Sequence, residues 1–357
     1  MYRDTRLTSP HIDHSNQARP GLTPFPDRLY VVTPIVNQQR YARRYELYRA
    51  FARHMQQSGV ILYTVELAFG DRPFEVTSRS DPRNIQFRTD QELWYKEQLI
   101  NLAIARLPPE AKYVAWIDAD LSFVRPDWAQ ETLHQLQHYQ VVQLFSHVVG
   151  LSYDSVPLSQ SLGFVEGWKQ GIPFKTAAGS AADVAAYRRV PGVSVQAYPE
   201  PGVAAPKAAM GWAGSPGGAW AARRDALDAL GGLIDYAILG SGDYHFATGL
   251  MGFMELSLSP GYHPAYTRML LDWQQNALKT VQRNVGHVLG TVCHHWHGAM
   301  RDRGYGDRWR ILVRNQFNPA TDLKRDSSGL WQLTSEKPQL RDDIRAYFCS
   351  RNEDAIA

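Results

Sequence analysis

The chain of 357 residues carries only two cysteines, Cys293 and Cys349. Two thiols cannot build a disulfide scaffold, and they suit a reducing compartment. No Cys-x-x-Cys pair is present, so a cysteine-held zinc has no support. No stretch approaches the ~18 apolar residues that a membrane-spanning helix requires. The first twenty residues are polar and mixed in charge, unlike a secretory leader. Together these absences predict a soluble, cytoplasmic protein without a membrane span. Two phosphate-binding signatures are missing as well. No Gly-x-Gly-x-x-Gly follows the first strand pattern, which argues against a dinucleotide-binding domain, and no Gly-x-x-x-x-Gly-Lys-Ser/Thr exists to make a P-loop. Excess charge is also lacking: 38 Lys and Arg against 35 Asp and Glu give a net +3, which permits a polyanionic partner without requiring one.

What is present is an ordinary folded composition, 44% hydrophobic and 20% charged, somewhat rich in aromatics at 11% with ten Trp. Residues 1–25 read as a flexible arm. Apolar runs then predict strands at 28–34, 60–67, 112–118 and 140–145. Helical spacing predicts helices over 39–58, 90–106 (opening on Asp90 as N-cap) and 127–139. Strand and helix in alternation argue for right-handed βαβ units and an α/β fold with a mostly parallel sheet. From about 150 to 215 the texture turns to Ala, Gly and Pro with little periodicity, the pattern of an irregular insertion or lid. Regular structure resumes with Gly217-Gly-Ala-Trp-Ala-Ala-Arg-Arg224, a helix over 225–230 and a strand over 288–293.

Three constellations carry chemistry. Asp118-Ala119-Asp120, the sole Asp-x-Asp triplet, sits where a hydrophobic strand ends, the place at which open α/β sheets bind ligands. Two carboxylates there repel unless a cation or donors compensate, and Mg²⁺ or Mn²⁺ favours such oxygen ligands. The second is His294-His295-Trp296-His297. In an extended chain His295 and His297 share one face and His294 takes the other, and imidazole suits Mn²⁺ beside carboxylates. The third is Gly240-Ser-Gly-Asp243, whose glycines let backbone approach a ligand and present the Asp243 carboxylate.

Together these motifs resemble the GT-A family of nucleotide-sugar glycosyltransferases over roughly residues 28–300. The chain is also similar to glycosyltransferase-like proteins of bacteriophages, which share its Trp-His-Gly and Asp-Ala-Asp runs. The resemblance implies a Rossmann-like GT-A domain at 26–310, followed by a C-terminal extension at 311–357. It implies a nucleotide-sugar donor, such as a UDP-sugar, and Mn²⁺ or Mg²⁺. Asp120 would bind the metal, Asp118 the metal or the ribose, and a histidine would complete the site, His297 first and His295 second. Asp243 would be the catalytic base of an inverting transfer, although this chain lacks the Glu that precedes that Asp in the family's Gly-Gly-Glu-Asp type of motif. Thr33, Pro34 and Glu66 lie where such folds hold base and ribose, with Lys96 and Asn101 as further donor-binding candidates.

Arg301, Arg303, Arg308 and Arg310 follow the histidines, interleaved with aromatics, and together with Trp212 they are the acceptor-binding candidates. Arginine neutralises phosphate and aromatics stack on bases. With the phage-like resemblance, this points to a hydroxymethylated base in DNA as acceptor. The alternatives are a glycan or lipid-linked sugar acceptor, or a metal-dependent phosphoesterase or nuclease built on the same acids and histidines.

Overall fold

The computed structural model describes residues 27–171, 214–304 and 307–356. The predicted arm, most of the predicted insertion, and Trp212 lie outside the described residues. The strands are β1 (Leu29–Val36), β2 (Ile61–Phe69), β3 (Asn84–Thr89), β4 (Tyr113–Ile117), β5 (Leu121–Phe123), β6 (Val141–Gln143), β7 (His147–Leu151), β8 (Pro157–Leu162), β9 (Ala219–Arg223), β10 (Val285–His287) and β11 (Thr291–His294), then a hairpin of β12 (Leu323–Arg325) and β13 (Trp331–Leu333). The helices are α1 (Ala42–Gln57), α2 (Lys96–Ile104), α3 (Trp128–His138), α4 (Phe164–Lys169), α5 (Arg224–Leu230), α6 (Gly242–Met251), α7 (Pro264–Thr280), α8 (Asp307–Arg314), α9 (Pro319–Asp322) and α10 (Pro338–Cys349). Among the described residues, no helix is long and apolar enough to cross a membrane.

Seven strands form the main sheet in the order β10-β6-β9-β4-β1-β2-β3. Its pairings are parallel except those of β9, which runs antiparallel to both β4 and β6. Both faces are buried, and the strands read accordingly as near-continuous apolar runs. Alternate residues feed two cores: Tyr30, Val32, Val114 and Trp116 face one, while Leu29, Val31, Ala115 and Ile117 face the other. The α/β, mostly parallel architecture expected from the sequence is the one observed. A second sheet, β5-β11-β7-β8, stands beside it.

Local readings differ in three places. Helix α2 begins at Lys96 rather than at Asp90. The intervening chain is held out of a helix by its contacts: the Trp94 N–H donates to the Ile238 carbonyl at 2.8 Å, and Leu93 and Tyr95 are buried. The predicted strand at 288–293 is observed only as β11, from Thr291; Val288–Gly290 is the crossing from β10 of the main sheet, which lies before the predicted span. Within the predicted insertion, the end of β7, β8 and α4 are regular. β8 escaped notice because its Pro-Leu-Ser-Gln-Ser-Leu is almost wholly exposed and lacks an apolar face.

Candidate functional site

β1 lies between β2 and β4, so the connections leaving β1 and β4 run in opposite directions across the sheet. Such a reversal opens a crevice at the carboxyl ends of the strands. Pro34 to Gln39 at the end of β1 and Asp118 to Asp120 beyond β4 line that crevice. Lys96 and Glu97 of α2, Ser241 and Asp243 at the start of α6, and His294 and His297 beyond β11 close its sides. Arg303, Arg308, Arg351 and Glu353 from the C-terminal part complete it. The cleft has a cavity volume of about 180 Å³ and opens widely to solvent.

Asp118 and Asp120 diverge from their shared turn. The Lys96 ammonium donates to the Asp118 carboxylate at 2.8 Å. Burial, together with Asp120 and Asp243 nearby, raises the Asp118 carboxyl above its ordinary range in spite of Lys96. Burial opposes the Lys96 charge too, but Asp118, Asp243 and Glu97 hold it above the usual lysine range. Glu97, also buried, is pushed up to about 8 by burial, with Asp243 adding to the effect against Lys96. A Cβ on Gly242 would stand 2.6 Å from the Glu97 carboxyl carbon, so glycine is what admits this close approach to α6. Ser241, just before, takes the left-handed conformation at φ +70, and its hydroxyl accepts from the Trp309 indole at 2.7 Å. That turn sets Asp243 into the cleft.

Asp120 faces the histidines. Its Oδ2 lies 3.1 Å from His297 Nε2 and 3.7 Å from His294 Nε2, and the two ring nitrogens are 3.2 Å apart. Burial works against its charge, but His294 and His297 hold its carboxyl well below the usual range. Burial lowers His294 in turn. The residues fit a divalent cation. Two imidazole nitrogens and a carboxylate converge within 4.8 Å of one another, and Asp120 Oδ1 is buried without a hydrogen-bond partner. The carboxylate suits a hard ion such as Mn²⁺, and the two imidazoles suit first-row divalent ions such as Fe²⁺ or Zn²⁺ as well.

The sequence-predicted residues are not all brought together. Asp118, Asp120, Asp243, Lys96, Pro34, His297, Arg303 and Arg308 line the cleft. His295 does not face the cluster: β11 ends at His294, strand alternation stops there, and the His295 ring instead meets Ser122 Oγ at 2.9 Å. His294, placed on the opposite face by the extended-chain reading, is the second histidine of the cluster. The Thr33 hydroxyl is buried and donates to the Ile117 carbonyl at 2.9 Å. The Glu66 carboxylate is consumed by the backbone N–H groups of Glu75, Val76 and Thr77. Asn101 is spent on the backbone of Leu233, as acceptor and donor. Arg301 and Arg310 are 79% and 85% exposed, outside the cleft, so the run of arginines splits between buried and exposed members.

Sequence reasoning missed Arg44, Glu97, Arg351 and Glu353. Only Glu97 left a trace, as the neighbour of Lys96. Glu353, 1% exposed, accepts from Arg44 and Arg351, and it is held well below the usual range by Arg44, His297 and Arg351 against the effect of burial. It enters from the segment predicted to be an extension.

No protein family matches the sequence, and no curated protein matches it. Solved structures with some likeness include the catalytic domain of Drosophila β1,4-galactosyltransferase 7 in complex with xylobiose, at 10% identity, 66% of this chain, 65% of that chain and a TM-score of 0.29. S. aureus TarS 1-349 in complex with UDP-GlcNAc aligns at 10% identity over 63% and 53%, with a TM-score of 0.34. A candidate nucleotide-diphospho-sugar transferase from Desulfovibrio desulfuricans G20 aligns at 10% identity over 91% and 98%, with a TM-score of 0.31. The chain thus spans 65% of the Drosophila domain and 53% of the S. aureus one. These likenesses are too distant to bear on the site, which stands on its own geometry.

Proposed function

We propose that this protein is a metal-dependent glycosyltransferase that moves a sugar from a nucleoside-diphosphate sugar, such as a UDP-sugar, to an acceptor hydroxyl with inversion. One observation carries the reading. A two-histidine, one-aspartate cluster and a separate carboxylate, Asp243, line one cleft at the switch point of the sheet, with Arg303 and Arg308 beside them. Asp120, His294 and His297 would hold the divalent ion, Mn²⁺ or Mg²⁺. When bound, such an ion neutralises charge developing on a diphosphate leaving group.

The chain's own residues do the rest. Asp243 takes the proton of the acceptor hydroxyl as its oxygen attacks the anomeric carbon. The bond from that carbon to the diphosphate oxygen breaks, and its electrons leave with the nucleoside diphosphate. Arg303 and Arg308 offer guanidinium groups to the leaving phosphates. Lys96 keeps Asp118 oriented at the floor. Among the described residues the cluster offers three ligands for one ion, which favours this reading over a phosphoesterase that clamps attacking and leaving oxygens between two ions.

The acceptor reading that goes with the exposed Arg301 and Arg310 is a polyanion, a hydroxymethylated base in DNA. A glycan or lipid-linked sugar remains its competitor. A thermal-shift screen of nucleotide sugars with Mn²⁺ present tests the donor. Stabilisation that needs both ion and nucleotide is the expected result, and indifference to every nucleotide sugar would remove the transferase reading. The anomeric configuration of the product, read by NMR, tests inversion separately.

A further inference from the structure

The histidine cluster is backed by the last residues of the chain, and we propose that Glu353 is the positioning residue that fixes the His297 imidazole for metal binding. The inference rests on the metal reading of Asp120, His294 and His297. His297 turns Nε2 toward Asp120 at 3.1 Å. Its other ring nitrogen, Nδ1, is buried and has no hydrogen-bond partner among the described residues, and Glu353 Oε2 stands 3.7 Å from it. That separation is too long for a hydrogen bond, so the contact is electrostatic. A neutral imidazole that offers Nε2 to a cation carries its proton on Nδ1. A carboxylate on that side selects the tautomer and fixes the ring plane.

Glu353 is itself held. Arg44 Nη2 and Arg351 Nε donate to its Oε1 at 2.7 and 2.6 Å, and Arg44 Nε donates to Oε2, the oxygen nearest His297. The segment carrying it is tied at three further points. Asp354 accepts from the backbone N–H groups of Ala42 and Arg43, at 3.0 and 2.9 Å, and so caps the start of α1. The Trp296 indole, next to His297, donates to the Ala355 carbonyl at 2.7 Å. Gly298, at φ +87, presses against the tail so closely that a Cβ there would lie 2.9 Å from the Asn352 oxygen and 3.0 Å from Glu353 Cα. The histidine loop and the tail therefore form one unit, in which Glu353 is the group aimed at the ring.

The test titrates the full chain with Mn²⁺ alone by calorimetry and records the visible spectrum of the Co²⁺-loaded protein, which reports the ligand geometry. Glu353→Gln and Glu353→Asp should each weaken Mn²⁺ binding by ~10–100-fold and change the Co²⁺ bands. Glu353→Asp keeps a carboxylate for both arginines, so it remains readable where the glutamine variant does not fold. A folded Glu353→Asp protein with the wild-type Mn²⁺ affinity and Co²⁺ spectrum overturns the proposal while the metal site stands. Wild type and His297→Ala that both fail to take up either ion overturn the metal reading and this inference with it.

Discussion

The two walls of the cleft treat the same functional group in opposite ways. On the α2 side, Asp118, Glu97 and Asp243 crowd around one lysine, and the first two carboxyls are raised. On the β11 side, Asp120 and Glu353 stand among histidines and arginines, and both are lowered. Asp118 and Asp120 are only two residues apart, but β4 of the main sheet ends just before the first and β5 of the second sheet begins just after the second. The Asp-x-Asp triplet is therefore the joint between two sheets. One wall crowds its acids around a single lysine; the other sets its carboxylates among histidines and arginines.

Breaking that contrast gives the largest effect. Asp120→Asn should abolish Mn²⁺ uptake and lower transfer by ~10³ or more, since it removes the only carboxylate of the cluster. Asp118→Asn, whose oxygens already serve Lys96, should weaken Mn²⁺ binding less than ~10-fold. Equal loss of Mn²⁺ affinity in both variants, measured by calorimetry, would show that the two acids share one ion. Next in size, Asp243→Asn should lower kcat by ~10² and leave Mn²⁺ and UDP affinity nearly unchanged. Lost UDP binding would move Asp243 from base to donor contact.

Glu97 sharpens the contrast through pH. Its folded value of about 8 lies above that of an ordinary glutamate, so the native state holds a proton that the unfolded chain releases near pH 4.5. The stability penalty of this group is absent below pH 4.5, grows as the pH rises and levels off above about 8. Glu97→Gln removes the penalty, so the variant should gain on wild type by up to ~3–4 kcal/mol between pH 5 and 8. Urea titrations at both values check this, and a pH-independent difference would mean that Glu97 is charged in the fold.

How much of this was legible follows from how local each signal is. The strands around β1 and β4 announced themselves because strands buried on both faces need unbroken apolar runs, as in Tyr113–Ile117. Asp118, Asp120 and Asp243, which line the cleft, are legible as candidates because their signals, a strand end or a glycine-flanked turn, lie within a few residues. His295 was favoured over His294 because alternation was extended past the end of β11, where the backbone no longer alternates. Glu66 and Thr33 carried the right chemistry at the right strands, and tertiary partners took their polar groups. Glu353 had no local signal at all: its place depends on a contact with Arg44, 309 residues away in sequence.

The smallest expected effect concerns the arginines outside the cleft. Arg303 and Arg308 are buried in the wall, whereas Arg301 and Arg310 extend from the same segment into solvent, each beside one aspartate. Exposed pairs of that kind add little to stability, so Arg301→Ala with Arg310→Ala should shift unfolding by no more than ~0.5 kcal/mol. Activity on a small neutral acceptor should likewise hold. A polyanionic acceptor changes the expectation, because each phosphate contact releases counterions and adds about one to the slope of log affinity against log salt. Between ~50 and ~200 mM salt, the double variant should then bind a hydroxymethylated duplex with a slope lower by about 2. A slope that matches wild type removes DNA as the acceptor and leaves the transferase proposal for the cleft untouched.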